Sequence, residues 1–307
     1  MRTVVPTLVL ACAALLAGCT ASVPDAPLSM EQLLHKPLYT MTPQEADRYI
    51  AHMQKSEPDL RKRIAAIGRQ NIGQPYVLNL LGEYPYQLHD QLPMFSLAES
   101  DCVVFSEHTY AMALSRNWEE FFWMLQRIRY QDGIVGVATR NHYTEQDWNI
   151  HNAWLVTDVS AELAGSNVAT YELTVDKSRF LRTRHHTEAE FPIARSTESY
   201  VPTERVREVL SRLEDGDFVN VISTRNGEYW ASHVGLVVTA PDGSRHFLNS
   251  AAPKVREETF DAFIERVAER EKTQKKEGKP ALHLAGFKFL RLNEPVVVPP
   301  AKAQPRP

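Results

Sequence analysis

The stretch DFVNVISTRNGEYWASHVGLVVTAPDGSRHFLNSA, Asp217 to Ala251, decides the fold. Three runs rich in β-branched and aromatic residues are separated by Asn226-Gly227 and Asp242-Gly243, dipeptides that supply the positive φ of tight hairpin turns. The stretch reads as an antiparallel meander.

The segments before the meander read as helices. In TPQEADRYIAHM, Thr42 is a cap, Pro43 takes the first helical position and Glu45 completes a capping box. PDLRKRIAAIGRQ places Leu60, Ile64 and Ile67 on one face, and NWEEFFWMLQRIRY spaces Trp118, Phe121, Phe122, Leu125 and Ile128 as a helix does, which predicts core packing for these aromatics. Helices followed by an antiparallel sheet give an α+β class. In residues 165–200, YELTVD predicts a strand and RFLRTRHHTEAE a polar surface insertion.

The amino terminus predicts export. Met1 and Arg2 lead into the apolar VVPTLVLACAALLA, too short to span a bilayer. LAGC, Leu16 to Cys19, resembles a bacterial lipobox, which implies a signal peptide over residues 1–18 and lipidation of Cys19. Residues 19–29 then form a tether, and Thr20 in second place points, by analogy with Gram-negative sorting, to the periplasmic face of the outer membrane. The proline-rich 294–307 predicts a disordered tail, leaving residues 30–293 as the folded domain. With 43% hydrophobic residues and a net charge of −4, the 307-residue chain shows no electrostatic footprint for nucleic acid and is expected to be a monomer.

Cys102 is the chemically telling residue. Of three cysteines, Cys12 leaves with the signal and Cys19 takes lipid, so Cys102 has no disulfide partner. Such a thiol is either a small buried hydrophobe or a nucleophile. Ser100 and Asp101 place it in the first turn of an apolar helix. The helix dipole contributes only ~0.3–1 kcal/mol, whereas lowering a pKa by two units takes ~2.7 kcal/mol. An imidazolium beside a thiolate would supply the rest, and His233 in the second meander strand is the candidate. Its orienting partner is Asn249 if the loop at Asp242-Gly243 has three or five residues, or His246 if it has two or four.

GQPY (Gly73 to Tyr76), SDCVVF (Ser100 to Phe105), RIRYQDG (Arg127 to Gly133), RNHYTEQDW (Arg140 to Trp148), DGDFV (Asp215 to Val219), SHVGLVV (Ser232 to Val238) and FLNSA (Phe247 to Ala251) together resemble the NlpC-type cell-wall hydrolases, within them the N-acetylmuramoyl-L-alanine amidase-like group. The ordered set spans roughly residues 60–255. The resemblance implies a papain-like fold with N-terminal helices packed on an antiparallel sheet, and a nucleophile at Cys102, a base at His233 and an orienting residue at Asn249. Members often carry histidine at that last position; an asparagine oxygen can still accept the imidazole N–H. Peptidoglycan or muropeptides would be the substrate and no metal or organic cofactor would be required. Arg140 is placed to pair with a peptide carboxylate, and Asn141, His142, Tyr143 and Trp148 to line a groove, unless this is a structural loop with Trp148 as a core plug and Asp147 as a cap. Tyr76 flanks the nucleophile or packs. The rival readings are a stem-peptide endopeptidase, a non-catalytic cell-wall-binding lipoprotein, and a zinc hydrolase using Cys102, His233 and either His142 or His246.

Overall fold

A computed structural model of the chain describes residues 27–87, 90–300 and 302. The expected signal peptide, Cys19 and most of the tether lie outside these residues.

The chain opens with α1 (Met30–His35), α2 (Pro43–Ser56) and α3 (Leu60–Arg69), followed after a long loop by α4 (Cys102–Leu114) and α5 (Trp118–Arg129). The capping box at Thr42 and Glu45 is present as the sequence predicts, with both reciprocal hydrogen bonds. Short helices α6 (Asn149–His151) and α7 (Ser160–Ala164) lie either side of strand β1 (Val156–Asp158). The middle of the chain continues with β2 (Ala169–Val175), α8 (Lys177–His185), β3 (Ala194–Pro202) and α9 (Val206–Val209). The meander follows as β4 (Phe218–Arg225), β5 (Glu228–Thr239) and β6 (Arg245–Ala251); β7 (Lys254–Thr259), α10 (Phe260–Lys276) and β8 (His283–Leu292) complete the chain.

The strands form one antiparallel sheet in the order β2-β3-β8-β4-β5-β6-β7, with β1 beside β8. The α+β class is therefore as expected. The meander lies inside the sheet rather than forming all of it, because β8 returns to pair with β4. The local signal for that strand is the alternation in Gly286–Leu292 (GFKFLRL).

Strand alternation sends the two faces to different helices. Phe218, Val234, Leu236, Val238, Leu248 and Leu290 join one core with Ile64, Ile67, Phe121, Leu125 and Ile128. Val219, Val221, Val237, Phe247, Phe287 and Phe289 face Phe260 and Phe263 of α10. Helix α4 lies in the first core with every residue from Val104 to Ala113 buried, which explains its lack of a polar face. Among the described residues no helix is long and apolar enough to cross a membrane.

One expectation is corrected. RFLRTRHHTEAE is not merely a surface insertion: its first half is α8, started by an Asp176 cap on the Arg179 N–H, and Leu181 is buried. The segment from Glu294 has no helix or strand up to Pro300, yet Val296 packs on the main core and Lys302 pairs with Asp132 at 2.7 Å.

Candidate active site

The site forms where two neighbouring strands part. Pairing between β5 and β6 stops at Leu236↔Leu248, while β6 stays on β7 as far as Ala251↔Lys254. The chain before α4 docks beside the freed part of β6: the Ser100 hydroxyl lies 2.9 Å from that of Ser250, which also bonds the Ser100 carbonyl. Ser100 donates to Gln74 Oε1 at 2.7 Å, and the Gln74 amide donates to the Leu97 carbonyl. Gln74 and Ser250, which the sequence analysis did not single out, thus fix where α4 begins.

Asp101 caps that helix through the Val104 N–H, leaving Cys102 half-buried in the first turn. The backbone N–H groups of Cys102, Val103 and Val234 favour the charged form of the sulfur. Val234 follows His233 in β5; Val234 packs in the core that Cys102 adjoins, while the His233 ring lies against Phe247, Phe263 and Asn249. A bulge sits beside them: Val221↔His233 is followed by Ile222↔Ala231, leaving Ser232 as an extra residue in β5. Such bulges re-aim the side chains next to them.

The loop between β5 and β6 has five residues, because Thr239 pairs with Arg245. Asn249 therefore shares a face with His233, and its Oδ1 lies 3.0 Å from His233 Nε2. His246 is on the other face, held by Glu257 and Ser244.

Burial sets the electrostatics. It pushes the Cys102 thiol up to about 12, helped by the neighbouring Asp101 carboxylate and opposed by the three N–H groups. The same burial holds His233 down to about 4, with the Asn249 bond opposing and the Arg266 charge adding to the fall. Burial thus opposes the ion pair expected from sequence, because desolvating two charges works against what the helix start and Asn249 return.

A cleft of about 550 Å³ runs from Asp101 and Val103 to Asn141, His142, Phe180 and Arg184. Tyr76 stands on the Cys102 side: it bridges to Ser100, and burial together with the sulfur's charge pushes its phenol up to about 12. Asn141 and His142 line the cleft but are braced, Asn141 by the Ile128 carbonyl and His151, His142 by the Val137 carbonyl at 2.7 Å. Tyr143 packs against Phe180 and the β2–β3 core.

Arg140 is not poised for a substrate carboxylate. It pairs with Glu83 at 3.2 Å and donates to the Leu81 carbonyl. Trp148 does not line the cleft; it is 1% exposed, stacks on Phe218 at 4.2 Å and donates to Glu107. Asp147 accepts the His142 and Tyr143 N–H groups and pairs with Lys177. Glu107 also pairs with Arg129. These buried pairs make a rigid back wall, and burial pushes Glu83 and Glu107 each up to about 7 against the pull of the arginines. Phe180 and Arg184, which sequence reasoning assigned to an insertion, supply the front wall. Among the described residues no group of three His, Cys, Asp or Glu side chains is placed to hold a metal ion.

Residues 66–273 match the family described as AmiA-like, N-acetylmuramoyl-L-alanine amidase-like, a span that includes every residue just described around Cys102. The chain belongs to that family.

Solved structures agree in fold with this amidase-like protein. A protein of Legionella pneumophila superposes with a TM-score of 0.65 at 18% identity, over 81% of this chain and 95% of the other. An N-acetylmuramoyl-L-alanine amidase from Bacteroides uniformis gives 0.57 at 20% identity, over 76% and 99%. A putative xylanase from Bacteroides fragilis gives 0.53 at 21%, over 73% and 99%. No curated protein sequence matches the chain.

Proposed function

We propose that this amidase-like protein is a lipid-anchored peptidoglycan amidase of papain-like type, with Cys102 as nucleophile, His233 as base and Asn249 as the residue that orients it. The observation that carries the reading is the order cysteine at a helix start, histidine on the adjoining strand, asparagine bonded to that histidine on the next, inside a chain of the amidase-like family.

The proposed chemistry is general-base attack. Asn249 Oδ1 takes the Nε2 side of His233, leaving Nδ1 to receive the Cys102 proton as the sulfur attacks an amide carbonyl. Charge then forms only with substrate present, where the Cys102 and Val103 N–H groups and the Tyr76 hydroxyl offer donors to a developing oxyanion. His233 returns its proton to the leaving amine, and water activated by the same ring releases the thioester. The bond broken is the one between muramic acid and L-alanine. In the cleft, Arg184 takes the part expected of Arg140: it is exposed, has no ion pair among the described residues and lines the cleft with Asp101 and Val103, so it is the cation available to a stem-peptide carboxylate. Anchoring through Cys19, on the periplasmic face of the outer membrane, belongs to the same proposal.

One observation favours a second reading, a non-catalytic cell-wall-binding module: burial holds both Cys102 and His233 neutral. Mass spectrometry of defined muropeptides after incubation with the protein separates the two. Release of free stem peptide supports the amidase, cleavage between stem residues makes it an endopeptidase, and unchanged muropeptides leave the binding module.

A further inference from the structure

The His233–Asn249 contact is the start of a longer chain of bonds. Asn249 Nδ2 donates to Glu258 Oε1 at 3.1 Å, and Glu258 is clasped by Arg266, whose Nη2 reaches Oε1 at 2.6 Å and whose Nε reaches Oε2 at 3.1 Å. Glu258 lies on β7 and Arg266 on α10, so three consecutive elements after His233 converge on one imidazole.

We propose that Glu258, braced by Arg266, is a positioning residue that fixes the orientation of the Asn249 amide and thereby the tautomer of His233. The inference deepens the cysteine–histidine reading above and rests on it. Its physics is a matter of donors and acceptors. An ionised carboxylate only accepts, so the end of Asn249 facing Glu258 is the NH2. A weaker contact from the same nitrogen to the Phe247 carbonyl at 3.4 Å has the same polarity. The carbonyl end must then face His233, and because a carbonyl only accepts, Nε2 carries the ring proton. A neutral ring with its proton on Nε2 has its lone pair on Nδ1, where a base for Cys102 needs it.

Without the carboxylate the amide gains a second orientation. Its NH2 then faces His233, Nε2 becomes the acceptor and Nδ1 carries the proton, which disables the base without moving it. Arg266 holds the Glu258 carboxylate in place through two charge-assisted bonds. The same arginine lies over the Phe263 ring at 5.1 Å, and Phe263 lies parallel to His233 at 6.1 Å, so the brace also backs the imidazole's face. The other charged group facing His233 is Arg256 of β7, which lies outside this chain of bonds.

The test uses the full chain and a defined muropeptide. Glu258→Ala is expected to lose roughly 10–100-fold in kcat with little change in KM, as buried partners of functional histidines do. Glu258→Gln, which retains an oxygen acceptor, recovers most of that loss. Nitrogen NMR of the His233 ring reads the cause directly: the Nε2–H form in the unmodified protein, a mixture of tautomers in Glu258→Ala. If Glu258→Ala does not fold, Glu258→Met, which keeps most of the volume and offers no oxygen acceptor, is read in the same way. An unchanged tautomer, or full kcat in a folded Glu258→Ala protein, overturns the proposal. Full activity of Cys102→Ala would instead sink the cysteine reading, while the ring spectrum still decides on Glu258.

Discussion

His233 Nε2 lies 3.0 Å from Asn249 Oδ1 where β5 and β6 part, and the N–H of the next residue, Val234, is one of the groups that favour a charged Cys102 sulfur. Under the proposed mechanism the Cys102 sulfur is the attacking atom. Cys102→Ala is therefore expected to cut muropeptide hydrolysis by roughly 10⁴-fold or more, in line with removal of other covalent nucleophiles. Because the side chain is small and half-buried, the unfolding free energy should move by less than about 1 kcal/mol. Turnover at the unmodified rate in this variant would remove the cysteine from the mechanism.

The pH dependence of kcat/KM follows from His233. As a base it must be neutral, and burial holds it down to about 4 from an ordinary 6.5. The acid limb of the profile should thus fall near pH 4, with a plateau through neutrality because the Cys102 thiol is pushed up to about 12. An acid limb at 6.5 or above would mean a hydrated or negatively flanked imidazole, contrary to the buried site.

Stability should respond to acid through the same burial. His108 and His233 are held down to about 4 and His142 to about 2, all by burial. In each case the unfolded chain binds the proton first, so the stability these rings contribute is complete above pH 6.5 and is lost as pH falls through the folded values. Glu83 and Glu107, pushed up to about 7 from 4.5, act with opposite sign between those values. Below pH 4.5 only the histidines still act among these five, and there the urea midpoint should drop most steeply. His142→Gln should flatten that drop; an equally steep fall in the variant would assign it elsewhere.

How far the sequence carried the fold can be judged residue by residue. Asn226-Gly227, the Thr42 cap and the apolar run after Cys102 state their structures locally, since turn chemistry, caps and periodicity act within a few residues. The choice between Asn249 and His246 waited on the loop register, a single integer that the sequence did not supply. For Arg140 and Trp148 the sequence left open a groove or a structural loop, because their partners, Glu83 and Glu107, are distant in the chain and nothing local places those carboxylates. Arg184 had a local signal, the Asp176 cap that starts α8, but nothing local says that α8 closes the cleft. The Glu258–Arg266 brace likewise depends on α10 folding back beside β7.

Arg184→Gln tests the cleft. A charge-assisted bond to a carboxylate contributes ~1.5–3 kcal/mol when well shielded. At an exposed position less is expected, so KM for a stem peptide with free carboxylates should rise about 3- to 10-fold, near 1 kcal/mol. The figure for kcat should stay within a factor of about two, since Arg184 is on the cleft wall and not at the sulfur. Amidated stem peptides should show no difference between the two proteins; an equal loss on both would assign Arg184 to the shape of the wall.

Gly235→Ala probes the closest approach in the site. A Cβ there would lie 2.7 Å from the Leu248 carbonyl oxygen, 2.6 Å from a Phe247 ring carbon and 2.9 Å from the Asn249 Cβ. The carbonyl belongs to a paired strand and has nowhere to turn, so β6 must move away and take Asn249 with it. Overpacking of this kind costs about 1–3 kcal/mol, and displacement of Asn249 from His233 should lower kcat more than it raises KM. Gly243→Ala is the contrast: the space around it is open, but its φ of +85° strains any residue with a Cβ. That change should cost about 1–2 kcal/mol through the backbone alone, with kcat intact because the loop tip is remote from the cleft. Equal effects of the two substitutions on kcat would show that activity follows global stability and not the packing of β6 against the imidazole.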